Sequence, residues 1–406
     1  MKTIIKTIPI DTNENQSLKK IFKYIERGNV VHITRNLENQ NKLSKPINIK
    51  GPALIFKSSG SIYQPKLCIH SIKNLDLSAE STGIWLEKLG IELSKCLIFN
   101  SLPLNHISGF MPLWRSRLWG CSCLRISPNL IKETKKLLEY TIKENKTANK
   151  YLITSLVPTQ LNRLIKEKEG IEWLKNFTLI WVGGASISNE IAELCRKESI
   201  NIAPCYGATE TAAMISCLDP NSFLKGQNDV GSLLNDVSIQ INQYGLIKVK
   251  TKRLGIELLK SYNLQPFSNK EGWWESGDIG EIIKIKNLNH LNYIRRADNA
   301  FNSGGETVFP EIIKLRLKKF IFEKKIPITN IYFSVIKDEV WENRYEIYLD
   351  FKKNTSKEII MQTLDVLKIF AKDWPRHEKP TYWKLTEKIH ICNSINEGNW
   401  KDNNKL

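Results

Sequence analysis

From Phe177 to Gly207 the chain spells a strand, a glycine turn, a helix, a second strand and a second glycine-bearing turn. Phe177 to Val182 is an almost continuous apolar run that stops at Gly183-Gly184-Ala185-Ser186. Ser188 then stands where an N-cap hydroxyl is wanted, ahead of a helix bearing Ile191 and Leu194, and Ile200 to Ala203 is the second apolar run. Two such strands joined through a helix run parallel in one sheet. The pattern predicts an α/β domain with a mostly parallel sheet. Past the turn residue Pro204, Tyr206-Gly207-Ala208-Thr209-Glu210-Thr211 crowd a ring, open backbone, a hydroxyl and a metal-seeking carboxylate together. Their place is the carboxyl edge of the sheet, where open α/β folds bind ligands.

With 406 residues the chain is long enough for two domains or more. Helical spacing predicts an amphipathic helix over 17–27, another over 128–146 with Ile131, Leu138 and Ile142 on one face, and a third over 159–168. After Ser232 short alternating strands, at 237–241, 246–251 and 279–285, predict a small β-rich subdomain. The last hundred residues predict a compact α+β module: a helix opening at Pro310, strands at 331–336 and 345–351, and a capping box of Thr355 and Glu358 before a helix reaching Trp374.

A formal net charge of +18 is spread over a chain rich in lysine, asparagine and isoleucine, with no arginine-rich block interleaved with aromatics. We read it as diffuse composition with a bias toward anionic small molecules rather than as a nucleic-acid surface. The eight cysteines, at 68, 96, 121, 123, 195, 205, 217 and 392, form no C-x-x-C pair, so neither a zinc site nor a disulfide framework is indicated. They read as reduced and mostly buried. No run approaches a membrane span and residues 1–16 lack a signal-peptide core, so a cytoplasmic protein is expected.

Several residues carry two readings. The strand 53–56 runs into Lys57-Ser58-Ser59-Gly60-Ser61-Ile62-Tyr63-Gln64-Pro65-Lys66. Hydroxyls, backbone N–H groups and the Lys66 ammonium can converge there on a phosphate, or the stretch is a polar turn. His106, in the apolar stretch 97–124, is a structural histidine or a site residue; Arg115 recognises a carboxylate or makes a salt bridge at a domain edge. Asp278, beside Gly277, accepts from a sugar diol or closes a turn.

Five stretches together resemble the adenylate-forming superfamily of acyl- and aryl-CoA ligases, luciferases and peptide-synthetase adenylation domains. They are Ser58 to Lys66, Gly183-Gly184-Ala185, Tyr206 to Thr211, Ser276-Gly277-Asp278, and Arg296-Ala297-Asp298 leading to Ser303-Gly304-Gly305-Glu306. Leu102-Pro103-Leu104-Asn105-His106-Ile107-Ser108-Gly109 with Trp114-Arg115-Ser116, and Leu156 to Leu161, look like its o-succinylbenzoate–CoA ligase branch, which serves menaquinone and phylloquinone synthesis. The resemblance implies an adenylation domain over 1–297 and a mobile α+β lid over 298–406, hinged at Asp298. It implies ATP, Mg²⁺ and coenzyme A as ligands and an aryl carboxylate as substrate. Ser58, Ser59, Gly60, Ser61 and Lys66 would hold the β and γ phosphates, Thr209 the α-phosphate and Glu210 the metal. Tyr206 and Gly207 would form an adenine shelf against Gly183, Gly184 and Ala185. Asp278 would take the ribose with help from Arg296, and His106 and Arg115 would line the acyl pocket. Small molecules are then the partners, with no nucleic acid and with room for a homo-oligomer.

Two positions depart from that family. Ile62 and Tyr63 replace its usual Thr-Gly in the phosphate loop, and Asn399, after Gly398, stands where its carboxyl-terminal lysine is expected. Lys401 lies two positions on; in an extended segment it shares a face with 399, roughly 6.6 Å along the strand, and is our candidate stand-in. The competing readings are ligation of another aromatic or fatty acid, or a nucleotide-binding relative impaired in adenylation.

Overall fold

The computed structural model describes residues 3–10, 14–35, 43, 46–49, 51–58, 66–144, 150–243, 245–259, 261–297, 301–303, 306–338 and 341–386. The chain divides into two compact units, Met1–Arg295 and Arg296–Leu406.

In the first unit the strand Leu179–Val182, the helix Asn189–Lys197 and the strand Ile202–Ala208 form the crossover, with the strands parallel from Ile180–Ile202 to Val182–Pro204. Ser188 caps the helix, its Oγ accepting from Ile191 N at 3.3 Å. Tyr151–Leu156, Cys96–Asn100 and Ser122–Arg125 extend the parallel block. Pro204 is not a turn residue. It lies inside Ile202–Ala208, where pairing with Leu179–Val182 ends and antiparallel pairing with Ala213–Cys217 begins at Cys205. Proline gives the ladder no N–H, and a change of partner is a place where none is demanded.

The stretch after Ser232 is β-rich, as expected, and it continues the larger sheet. Its strands Ser238–Ile241, Leu246–Lys250, Trp274–Ile285 and Leu288–Arg296 join the same sheet, eleven strands among the described residues, through Ser232–Leu233 and Ala213–Cys217. The α/β class holds, with a mixed sheet: alternation signals a strand but not the edge it will extend, which non-local pairing decides. Between two of these strands the chain makes an excursion. Ile256–Leu258 and Leu264–Pro266 leave to complete a second, six-stranded sheet with Ile5–Pro9, Val30–Thr34, Ala53–Lys57 and Leu67–Ser71.

The helix Ile107–Trp119 lies between the two sheets. Phe110, Met111 and Trp114 pack with Phe56 of the smaller sheet, while Arg115 meets Trp181 of the larger. A helix buried on both sides is apolar nearly all round, which accounts for the density of large side chains there. The helix Thr134–Glu144 buries Leu137 and Thr141 and leaves Ile142 59% exposed. Ile131 sits in a separate 3₁₀ turn, Leu130–Lys132, so the Ile131-Leu138-Ile142 stripe is broken before the helix starts.

His32 and His70, on strands of the smaller sheet, are buried and sit near a pKa of about 4 instead of 6.5. Burial is the main cause, helped by Lys57 at His32 and Arg253 at His70. The unfolded chain takes up these protons near pH 6.5 and the folded protein only near 4, so stability is whole above about 6.5 and falls as pH drops toward 4. Lowering pH from about 7.5 to about 5 is expected to cost at most about 2 kcal/mol per histidine. Urea midpoints at the two pH values check this, and a flat midpoint overturns it.

The second unit has the strands Ile328–Asp338, Glu342–Phe351 and Tyr382–Leu385 and the helices Pro310–Glu323 and Lys357–Phe370 around Ile313, Leu317, Tyr345 and Leu367. Its second helix is capped by Ser356, whose Oγ accepts from Ile359 N at 3.3 Å, and not by Thr355. The Thr355 hydroxyl instead donates to Lys352 O at 2.7 Å, closing the turn in which Asn354 has φ 66°. Among the described residues no helix is long and apolar enough to cross a membrane and no cluster of three His, Cys, Asp or Glu could hold a metal. The described cysteines are free, four of the seven buried.

Candidate active site

Tyr206 is 8% exposed near the end of its strand. Its ring stacks on Tyr293 at 5.6 Å and 28°, and its hydroxyl donates to Asp278 Oδ2 at 2.6 Å across 72 positions of sequence. Asp278 reaches it from a bulge: the register slips between Leu246–Ile279 and Lys248–Glu275, and Gly277 adopts φ 72°, where a side chain is strained. Ser276 braces the bulge, its Oγ accepting from Asp278 N and donating to Ile247 O, both at 3.1 Å. Burial first, then the Asp278 charge, hold the Tyr206 phenol well above its usual range, so it stays a neutral donor.

The turn after this strand carries Thr209 and Glu210. Thr211, fully buried, ties it: its Oγ1 accepts from Ala208 N at 3.0 Å and donates to Ala213 O at 2.7 Å. Ala212 and Ala213 have φ 51° and 83°. Left-handed backbone at a residue with a Cβ costs about 1–2 kcal/mol, and such strain gathers at functional turns. The carbonyl of Thr209 accepts from His70 Nε2 at 2.7 Å and that of Glu210 from Gly255 N at 2.8 Å. Burial, then Glu210, then Glu257 push the Cys68 thiol upward, so two carboxylates act on one neighbourhood. Glu257 pairs with Lys66 at 3.4 Å, and the Lys66 ammonium lies 5.7 Å from the Phe267 ring.

Ser58 and Lys66 close the base of the predicted phosphate loop, Ser58 N donating to Lys66 O at 2.8 Å. Ser59, Gly60 and Ser61, with Ile62 and Tyr63, lie outside the described residues, as do Asp298, Gly304, Gly305, Asn399 and Lys401. Ser58 Oγ is buried with no hydrogen-bond partner among the described residues. An orphaned hydroxyl at the mouth of a strand–loop–strand suits a phosphate oxygen, and the Glu210 carboxylate suits a hard cation. The residues present therefore fit a nucleotide with magnesium.

Gly183 is half-buried and Gly184 and Ala185 are exposed, at the end of the strand paired alongside that of Tyr206. Arg296 is exposed at the end of Leu288–Arg296, the strand that carries Tyr293. His106 is not a satisfied structural histidine: it is exposed at the N-cap of Ile107–Trp119 and makes no capping bond. Its pKa is lowered, by partial desolvation first and then by the charges of Arg35 and Lys57. Among the described residues Arg115 makes no salt bridge. It is 2% exposed, over the Trp181 ring at 5.1 Å, with one long bond to Thr82 Oγ1 at 3.4 Å. Burial brings its pKa down to about 10, and no carboxylate pairs with it among the described residues. Tyr293, His70 and Glu257 were not foreseen; each meets a group remote along the chain.

The model of a family described as AMP-binding enzyme matches residues 3–256. The 2-succinylbenzoate–CoA ligase of Enterococcus faecalis is 26% identical over 315 residues, covering 75% of this chain and 61% of that protein. The chain thus spans about three fifths of that relative's length, and 56% of the Listeria monocytogenes one. Among solved structures, o-succinylbenzoate CoA synthetase from Bacillus subtilis in complex with its acyl-adenylate intermediate matches with a TM-score of 0.51 at 20% identity, covering 92% of this chain and 78% of that one. This likeness is one of fold.

Proposed function

The chain belongs to the AMP-binding enzyme family, and from that membership we propose that it ligates o-succinylbenzoate to coenzyme A, a step of menaquinone synthesis. The substrate carboxylate attacks the α-phosphate of ATP, pyrophosphate leaves, and an acyl-adenylate results. The coenzyme A sulfur then attacks the acyl carbon and AMP leaves. Such chemistry asks for positioning and charge neutralisation more than covalent participation. Ser58, Ser59, Gly60, Ser61 and Lys66 hold the β and γ phosphates, and Thr209 the α-phosphate. Tyr206, Gly207, Gly183, Gly184 and Ala185 cradle adenine, while Asp278 and Arg296 hold the ribose. Glu210 holds Mg²⁺, which when bound neutralises phosphate charge. His106 and Arg115 line the acyl pocket. Residues from 298 on act as a lid hinged at Asp298, and Lys401 serves in place of the lysine absent at Asn399. We place the enzyme in the cytoplasm, where ATP and coenzyme A are both at hand.

The observation that carries this reading is the Tyr206–Asp278 bond beside a strained turn bearing Thr209 and Glu210. The buried Arg115, which meets no carboxylate among the described residues, favours a dicarboxylic acid over a fatty acid. Full-length protein should exchange pyrophosphate into ATP in the presence of succinylbenzoate, and Lys401→Ala should slow that step far more than thioester formation from supplied acyl-adenylate. Absence of exchange with every aryl and acyl acid tried sinks the proposal. Equal slowing of both steps removes Lys401 from it.

A further inference from the structure

Two consecutive carbonyls of the Thr209–Glu210 turn are tied to the smaller sheet. His70 Nε2 reaches Thr209 O at 2.7 Å from Leu67–Ser71, and Gly255 N reaches Glu210 O at 2.8 Å from the start of Ile256–Leu258, which pairs with Leu67–Ser71. A carbonyl only accepts, so Nε2 carries the hydrogen and the tautomer is fixed. His70 is fully buried, with Cys68 Sγ 3.2 Å from the same nitrogen. Only glycine permits the approach at 255, since a Cβ there would sit 2.4 Å from Cys68 Sγ and 2.9 Å from His70 Cε1.

The strand that carries His70 begins directly after Lys66. One short, hydrogen-bonded stretch therefore connects the ammonium at the phosphate loop to the turn bearing the hydroxyl and the carboxylate. Resting on the nucleotide reading above, we propose that His70 is a positioning residue whose Nε2–H bond to Thr209 sets the spacing between Lys66 and the Thr209–Glu210 turn. The spacing matters because a triphosphate must be met at both ends at once, and displacements near 1 Å are costly in such sites. Adenosine, without phosphates, meets only the Tyr206–Asp278 side.

Binding, not turnover, tests this. ATP affinity is measured across a Mg²⁺ titration, and adenosine affinity alongside, for the wild type and for His70→Leu, His70→Asn and His70→Gln. His70→Leu is expected to weaken Mg²⁺-dependent ATP binding about tenfold, the scale of one lost buried hydrogen bond. Adenosine affinity should stay within about twofold, as for sites without shared partners. Gln, whose amide reaches the Nε2 position, should recover most of the loss; the shorter Asn should not, and it keeps a folded, polar comparison if Leu is poorly tolerated. Unchanged ATP binding in Leu and Asn overturns the proposal, as does a loss shared equally by adenosine. A wild type that binds no ATP overturns the nucleotide reading, and this proposal with it.

Discussion

Glu210→Gln should lower the rate of pyrophosphate exchange by about 10²–10³, the range for losing one preorganised charge at a phosphoryl-transfer centre. The fold should be nearly indifferent. The amide keeps the shape of the side chain, and the backbone carbonyl at this position stays held by Gly255 N at 2.8 Å. Exchange measured over a Mg²⁺ titration, beside a thermal melt, separates the two effects. Glu210 also helps to push the Cys68 thiol up, so its neutralisation should make that buried thiol ionise more readily. Exchange that survives intact, or that fails only in step with a lowered melting temperature, removes Glu210 from the metal.

Arg115→Met should move stability and affinity in opposite directions. A guanidinium buried to 2% exposure over Trp181 has given up its hydration and, among the described residues, gains one 3.4 Å bond and no carboxylate. Replacing buried ionic groups by apolar side chains of similar volume is often neutral or stabilising by about 1–4 kcal/mol. If the group waits for the second carboxylate of the substrate, the same change should raise the KM for succinylbenzoate about a hundredfold, with little change for a monocarboxylic analogue. A lowered melting temperature with unaltered KM would make Arg115 a packing element on Trp181.

The sequence announced its ligand edge clearly because local chemistry builds it. An apolar run, a glycine, a hydroxyl and an acid occur consecutively, and the crossover from Leu179 to Ala208 lies where periodicity put it. What periodicity missed follows from distance along the chain. The Tyr293 stack on Tyr206, the His70 bond to Thr209 and the Glu257 pair with Lys66 all depend on strand neighbours set by tertiary pairing. Pro204 looked like a turn because its strand's change of partner is invisible locally. The Ile131-Leu138-Ile142 stripe failed because a 3₁₀ turn interrupts the helical phase. Thr355 and Ser356 are both able caps, and the turn at Asn354 chooses between them.

The excursion that carries Ile256–Leu258 out of the larger sheet and back has a consequence for how the first unit comes apart. Leu246–Lys250 and Trp274–Ile285 pair with each other, yet the chain between them completes the other sheet. Releasing Ile256–Leu258 from the smaller sheet leaves a longer free loop between Leu246–Lys250 and Trp274–Ile285, so opening one sheet loosens the closure of the other. The turn bearing Thr209 and Glu210 hangs on both: it joins two strands of the larger sheet and is held to the smaller by His70 and Gly255, so local opening of either sheet should loosen it.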